Sequence, residues 1–165
     1  MTPSLGSSID MGSIGMLRHA VATLAYRASK ALRGAPPEFQ SFAAAAPQTP
    51  GRILAHLGDL FDWAISIANG AERWSNSAPG SWEADMARLF GLLEAFDRRL
   101  ASGPPLGCSA ERLFQGPVAD ALTHVGQIAM LRRLAGVKMT GENYFVAEVR
   151  AGRCGADQAA PVREF

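Results

Sequence analysis

Four long stretches of the chain carry apolar residues at intervals of three and four, and glycine or proline follows each stretch. Apolar residues at this spacing lie on one face of an α-helix. The predicted helices cover about residues 12–33, 49–69, 81–102 and 109–136. No segment alternates convincingly as a strand does, so the pattern predicts an all-α fold. Four amphipathic helices joined by connections of moderate length favour a four-helix bundle.

Capping residues and prolines set the predicted boundaries. The second helix is predicted to begin at Thr49, with Pro50 at its first helical position. Pro117 falls inside the fourth helix, where a proline predicts a kink or a broken first turn. After the fourth helix, residues 144–146 are compatible with a short extended segment. The Gly/Ala-rich tail from 152 to 165 is predicted to be loosely attached.

Length and composition restrict the class of protein. A chain of 165 residues with 48% hydrophobic and 19% charged residues predicts one globular domain over residues 1–165. A net charge of +1 argues against nucleic acid as a partner, and no apolar stretch is long enough to span a membrane. The isolated Cys108 and Cys154 favour reduced thiols over a disulfide, so the expected location is the cytoplasm.

The histidine on the fourth predicted helix is the residue best suited to metal binding or catalysis. His124 lies on or beside the apolar stripe, with Asp120 four residues before it and Gln127 three after it, so the three side chains project from one face. Asp and His at this spacing can coordinate one metal ion. The alternative is a hydrogen-bonded or ion-paired pair of neighbours, which is common on helices.

A second histidine lies at the edge of the apolar stripe of the second helix. If the second and fourth helices pack side by side, His56, Asp120 and His124 form a two-His, one-carboxylate set facing the bundle interior. The alternative is two separate core histidines, each satisfied by a backbone carbonyl or a hydroxyl. His19 lies opposite the stripe of the first helix and is predicted to face solvent rather than to bind metal.

Other common signatures are missing from the sequence. No motif indicates a serine or cysteine nucleophile, a phosphate-binding glycine loop or a CxxC zinc ribbon. Asp59, Asp62 and Asp97 are interpreted as members of solvated or ion-paired helix faces rather than as a catalytic pair. The histidines of the second and fourth helices therefore remain the main candidates.

The stretch Leu113–Gly136 resembles the last helix of the DinB-like superfamily. The likeness extends to His56-Leu57-Gly58-Asp59-Leu60 and to Gly141-Glu142-Asn143-Tyr144-Phe145, and it covers roughly residues 12–150. The resemblance implies an up-down-down-up four-helix bundle, often dimeric, with a divalent metal ion held at one end. Nickel or zinc is the implied metal, with iron or manganese as further options.

The resemblance also implies roles for individual residues. The usual ligands are one His on the second helix, matched by His56, and a His-x3-His pair on the fourth, whose last member is matched by His124. Asp120 stands where the middle His is expected, and it either completes the ligand set as a carboxylate or makes metal binding weaker, altered or absent. Gln127 matches an amide that orients His124 or a bound water.

Two residues after the fourth predicted helix are further candidates for the site. The resemblance aligns Glu142 and Asn143 with a segment that could fold back over the pocket, as cofactor-binding or lid groups. The alternative is a surface turn after Gly141. The sequence leaves both readings open.

Two functions are consistent with this pattern. The first is a divalent-metal-dependent enzyme, a hydrolase or a thiol-dependent transferase. Its open coordination positions would admit water or a small-molecule substrate such as a low-molecular-weight thiol. Asp120, if it is not a ligand, would be the catalytic base. The second is a non-catalytic dimeric helical bundle that binds a small ligand or a partner protein. A homodimer is expected in either case.

Overall fold

Helices account for most of the chain, and short irregular segments connect them. The computed structural model describes residues 5–44 and 47–165. Three long helices are α1 (Leu5–Leu32), α2 (Pro50–Ala68) and α3 (Trp82–Ala101). The fourth predicted helix comprises α4 (Ala110–Leu113), a π-helical turn (Phe114–Val118) and α5 (Ala119–Leu134). None of the residues in the described ranges lies in a β-strand, which confirms the all-α prediction.

Side-chain caps define the beginnings of three helices. Thr49 Oγ1 accepts a hydrogen bond from the backbone N–H of Arg52 at 3.3 Å, and Pro50 is the first residue of α2, as predicted. Ser81 and Ser109 cap α3 and α4 in the same way. By contrast, α1 begins at Leu5, earlier than the predicted residue 12. One glycine costs a helix only about 1 kcal/mol, so the glycines near this boundary do not end it.

The helices pack around one shared hydrophobic core. α2 packs against α3, α3 against α1, α1 against α5, and α5 against α2, which closes a ring of contacts. The predicted apolar stripe of α1 is buried, and the largest fully buried side chains are Trp82, Phe61 and Phe96. Within the described part of the chain, no helix combines the length and the apolar character needed to cross a membrane.

A π-helical turn interrupts the fourth helix at Pro117. Pro117 and Val118 are both buried within this turn. Pro117 lacks a backbone N–H, and its ring would clash with the carbonyl four residues earlier in a regular helix. A wider turn relieves this clash, and Ala119 N–H donates to the carbonyl of Phe114, five residues back. The predicted irregularity at Pro117 is thus confirmed.

A buried arginine holds the end of α1 against α5. The sequence pattern placed Leu134 on the apolar stripe, but Leu134 is 60% exposed and Arg132 is only 3% exposed. Arg132 Nη1 donates to the carbonyls of Ala31 and Arg33, each at 2.9 Å, and Nη2 donates to the carbonyl of Lys138 at 2.7 Å. The last carbonyls of a helix lack helical partners, so Arg132 serves as a cap for α1.

The prediction of a loosely attached tail is wrong. Cys154 and Gln158 are buried, and Glu164 is 2.6 Å from Lys30 Nζ. Residues 144–146 form a 3₁₀ turn instead of the expected extended segment. A Gly/Ala-rich composition predicts little local structure, but it does not reveal partners that lie far away in the sequence. Here those partners are on α1.

Replacement of Arg132 by methionine tests this cap. We expect Arg132→Met to lower the free energy of unfolding by at least about 2 kcal/mol, because several buried carbonyls lose their donor. Urea denaturation measures the change. The matched control is Arg133→Met, whose exposed side chain should contribute less than about 0.5 kcal/mol. Equal destabilisation by the two substitutions would contradict the capping role.

Candidate metal centre

Contact between α2 and α5 brings the three predicted ligands together. Asp120 and His124 lie one turn apart on α5, and His56 faces them from α2. The distance from His56 Nε2 to Asp120 Oδ2 is 3.7 Å, and the distance from His124 Nε2 to Asp120 Oδ1 is 3.5 Å. One ligating atom from each residue lies within 4.8 Å of the other two. The geometry therefore matches the predicted two-His, one-carboxylate set.

These spacings suit a shared ion better than direct hydrogen bonds. Nitrogen and oxygen atoms in a hydrogen bond lie about 2.7–3.2 Å apart, so neither histidine forms one with Asp120. Donors bound at about 2.0–2.2 Å to one tetrahedral zinc ion lie about 3.3–3.6 Å from each other. Among the residues that the structure describes, none donates a hydrogen bond to the Asp120 carboxylate. Its oxygens are therefore available to a cation, and the residues fit a divalent metal.

Gln127 orients the ring of His124. His124 Nδ1 lies 2.8 Å from Gln127 Oε1. Because an amide oxygen can only accept, Nδ1 is the donor, and in the neutral ring Nε2 then keeps its lone pair. That lone pair is on the side of the ring that faces Asp120 and His56. Gln127 therefore occupies the orienting position that the sequence indicated.

Aromatic side chains contact the other histidine. The ring of His56 packs edge-on against His124 at 4.8 Å between centroids and against Trp74 at 5.7 Å. Trp74 in turn packs against Trp63, whose Nε1 donates to Glu72 Oε1 at 3.1 Å. Trp74 lies in an irregular segment with no helical period, so no pattern in the sequence predicts it as a neighbour of the site.

The site lies at the surface of the helix assembly, so its predicted position in the bundle interior is wrong. The side chains of His56, Asp120 and His124 are 34%, 48% and 21% exposed. The buried face of α5 passes through Ala121 and Val125, beside the two candidate ligands rather than on them. A cavity of about 520 Å³ adjoins the histidines, and its other polar lining residues are Gln48, Arg52, Asp59, Asn76, Ser77 and Gln127.

Asp59 fixes one wall of this cavity. Its buried carboxylate accepts hydrogen bonds from Ser77 Oγ at 2.7 Å, Ser77 N–H at 2.8 Å and Arg88 Nη2 at 2.7 Å. Burial alone raises the pKa of Asp59, but these three donors outweigh burial and bring the pKa below its ordinary value. A Cβ on Gly58 would lie 2.5 Å from Arg88 Nη1, so glycine leaves room for the guanidinium. Asp59 is thus ion-paired, as predicted, but buried.

Glu142 and Asn143 do not line the cavity beside the histidines. Glu142 is buried against α1, where Tyr26 Oη donates to Oε1 and Lys30 Nζ lies 2.9 Å from Oε2. Asn143 Oδ1 accepts a hydrogen bond from Phe145 N–H at 3.1 Å, which is the surface-turn alternative. The chain after α5 returns along the end of α1, so the assignment of these residues to the metal site is corrected. His19 is exposed on α1, as predicted.

The likeness to known proteins was tested in three ways. Comparisons of the chain with protein-family models, with curated proteins and with solved structures found no match. The geometry of the site therefore carries the functional argument, and the DinB-like resemblance rests on the sequence motifs alone.

The buried carboxylate predicts a specific pH dependence of stability. We expect Asp59→Asn to lower the free energy of unfolding at neutral pH by about 1.5–3 kcal/mol, because it weakens charge-assisted hydrogen bonds. The folded-state pKa of Asp59 is below its ordinary value of 3.8. Its stabilisation is therefore complete above that value and is lost as the pH falls through the folded-state pKa.

Denaturation of the wild type and of Asp59→Asn between neutral and acidic pH measures this effect. The difference in stability between the two proteins should shrink below about pH 4, since the wild-type carboxylate then becomes protonated. Asp62→Asn is the matched control, because Asp62 pairs with the exposed Arg73 and should contribute about 1 kcal/mol or less. A difference that stays constant down to low pH would contradict the role of the ionised carboxylate.

Proposed function

We propose that the chain is a divalent-metal-dependent enzyme of the DinB-like type, with His56, Asp120 and His124 as the metal ligands. The observation that carries the proposal is the convergence of two imidazole nitrogens on a carboxylate that neither of them hydrogen-bonds. Two imidazoles and one carboxylate suit zinc or nickel, and iron and manganese accept the same donors. Three protein ligands leave coordination positions open to a substrate.

The arrangement of helices supports the same proposal. We propose an up-down-down-up four-helix bundle, and the closed ring of contacts among α1, α3, α2 and α5 supports it. The site then lies where α2 and α5 face each other, and its open side adjoins the cavity. Sites built from facing helices are common in such bundles.

The class of reaction follows from a metal ion that has open coordination positions. When bound, the metal supplies a Lewis acid that lowers the pKa of a coordinated water or thiol, as needed for hydrolysis or for thiol transfer. Gln127 holds the His124 ring so that Nε2 faces the site. Asp120 acts as a ligand in this proposal, and as the proton-accepting base if it stays unligated. The cavity admits a small molecule, including a low-molecular-weight thiol.

We further propose a cytoplasmic homodimer. Met130 and Leu134 lie one turn apart on α5, and both are exposed apolar side chains that a second copy would cover. The free thiols of Cys108 and Cys154 suit a reducing compartment. Size-exclusion chromatography with light scattering distinguishes the dimer from a monomer.

Metal content of protein purified without a histidine tag tests the central proposal. We expect one Ni²⁺ or Zn²⁺ per chain after equilibration and dialysis, and loss of that metal in His56→Ala and in His124→Ala. Metal at about 100 times its dissociation constant should raise the unfolding free energy by about 2.7 kcal/mol. His19→Ala is the matched control and should keep the metal, because His19 is exposed on α1.

The opposite result supports the alternative function. A chain that stays metal-free, and whose unfolding does not respond to added Ni²⁺ or Zn²⁺, would contradict the enzyme proposal. The two histidines would then serve a non-catalytic dimeric bundle that binds a small ligand or a partner protein.

Gln127 provides a second test of the site. We expect Gln127→Leu to weaken metal binding by about 10–100-fold, because His124 loses the acceptor that fixes its ring. Gln127→Glu keeps an acceptor and should retain most of the affinity. Gln115→Leu, at an exposed glutamine of the π-helical turn, is the matched control. Isothermal titration with Zn²⁺ measures the affinities, and equal values for Gln127→Leu and the wild type would show that Gln127 does not orient the ligand.

A further inference from the structure

We infer that the substrate of the metal centre carries a carboxylate and that Arg52 binds it. This inference rests on the proposed function, because it concerns the substrate of the same site. Arg52 precedes His56 by four residues on α2, so the two side chains lie on one face about 5.4 Å apart along the helix axis. Both line the cavity that also contacts His124 and Gln127.

The guanidinium of Arg52 is anchored but has no acidic partner in the structure. Its Nη1 donates to the carbonyl of Pro47 at 3.2 Å, which leaves donors of Nη2 and Nε for another group. Over the described residues, no carboxylate lies within ion-pairing distance of Arg52, and its side chain is exposed to the cavity. An arginine in this position can therefore bind an anionic group that enters from solvent.

The remaining charges around the cavity favour an anion. Arg88 is neutralised by Asp59, at 2.7 Å, so this pair contributes no net charge. A bound divalent ion would more than offset the charge of Asp120. The cavity also adjoins the first turn of α2, whose helix dipole adds partial positive charge. With a divalent ion bound and Arg52 added, the cavity would carry a net positive charge.

The chemistry of arginine indicates which kind of anion the cavity binds. The planar guanidinium matches the two oxygens of a carboxylate, and one cation balances its single charge. The other cavity side chains from Gln48, Asn76 and Ser77 are neutral hydrogen-bonding groups, so they add polarity without a second cation. The expected substrate thus places a metal-binding group near His56 and His124, and a carboxylate one helical turn away, near Arg52.

Two small thiols of similar size test this inference on the Co²⁺-loaded protein. Mercaptopropionate carries a carboxylate, whereas mercaptopropanol carries a neutral hydroxyl. Each thiol gives its proton to the buffer and binds the ion through sulfur, and the sulfur-to-cobalt absorption band reports binding. We expect mercaptopropionate to bind the wild type about 10-fold more tightly than mercaptopropanol, as one charge-assisted hydrogen bond allows. In Arg52→Gln this preference should disappear, while mercaptopropanol binding stays unchanged.

Control variants distinguish carboxylate binding by Arg52 from a general effect of charge and from chelation of the ion by mercaptopropionate. Arg98→Gln removes the same charge from an exposed position on α3 that does not line the cavity, so it should keep the preference. Arg52→Lys should keep part of it, because the positive charge remains without the planar fork. A preference that persists in Arg52→Gln would mean that mercaptopropionate chelates the ion by itself, and it would overturn the inference.

The outcomes also separate this inference from the proposed function. Failure of the wild type to bind Co²⁺ would contradict the metal centre itself. Stoichiometric Co²⁺ binding with equal affinity for the two thiols would overturn only the role of Arg52. Cobalt stoichiometry and the unfolding free energy of Arg52→Gln should match those of the wild type, so a lost preference cannot be attributed to a misfolded variant.

Discussion

The buried carboxylate of Asp59 joins three parts of the chain beside the candidate metal centre. It belongs to α2, it pairs with Arg88 of α3, and it accepts two hydrogen bonds from Ser77 in the segment between these helices. His56 lies one turn before Asp59 on the same helix. The position of His56 and the wall of the cavity therefore depend on one ion-paired group. Gly58 belongs to this arrangement, because a larger residue would displace the guanidinium.

The contacts within the site differ from those of a hydrogen-bonded cluster. In a structural Asp–His pair, the carboxylate satisfies the ring nitrogen at about 2.7–3.2 Å. Here, among the described residues, Gln127 alone forms a hydrogen bond with the His124 ring, and both Nε2 atoms stay at 3.5 Å or more from Asp120. Two rings and one carboxylate thus converge without satisfying each other. A cation placed among them would use the lone pairs that this arrangement leaves free.

Sequence patterns predicted those features of the structure that depend on residues close together in the chain. The cap at Thr49 predicted where α2 begins, and the helical period predicted the beginnings of α3 and α4 to within one residue. The same period placed His56 and His124 at or beside the apolar stripes of their helices. Contacts between distant segments left no such signal. Arg132 contacts the carbonyl of Ala31, 101 residues away, and Glu142 contacts Tyr26, 116 residues away. Their roles follow from packing, which no single stretch of sequence reveals.

The exact position of the buried face explains why the site is open to solvent although the sequence pattern predicted it inside. Pro117, Ala121 and Val125 are buried and follow one another at spacings of four residues. Neighbouring residues of an α-helix are rotated by about 100° from each other. Asp120 and His124 each precede a buried residue by one position, so they lie at the edge of the buried face. The apolar stripe thus identified the correct side of the helix, but a difference of one residue separates the core from the edge at which α2 brings His56 to Asp120.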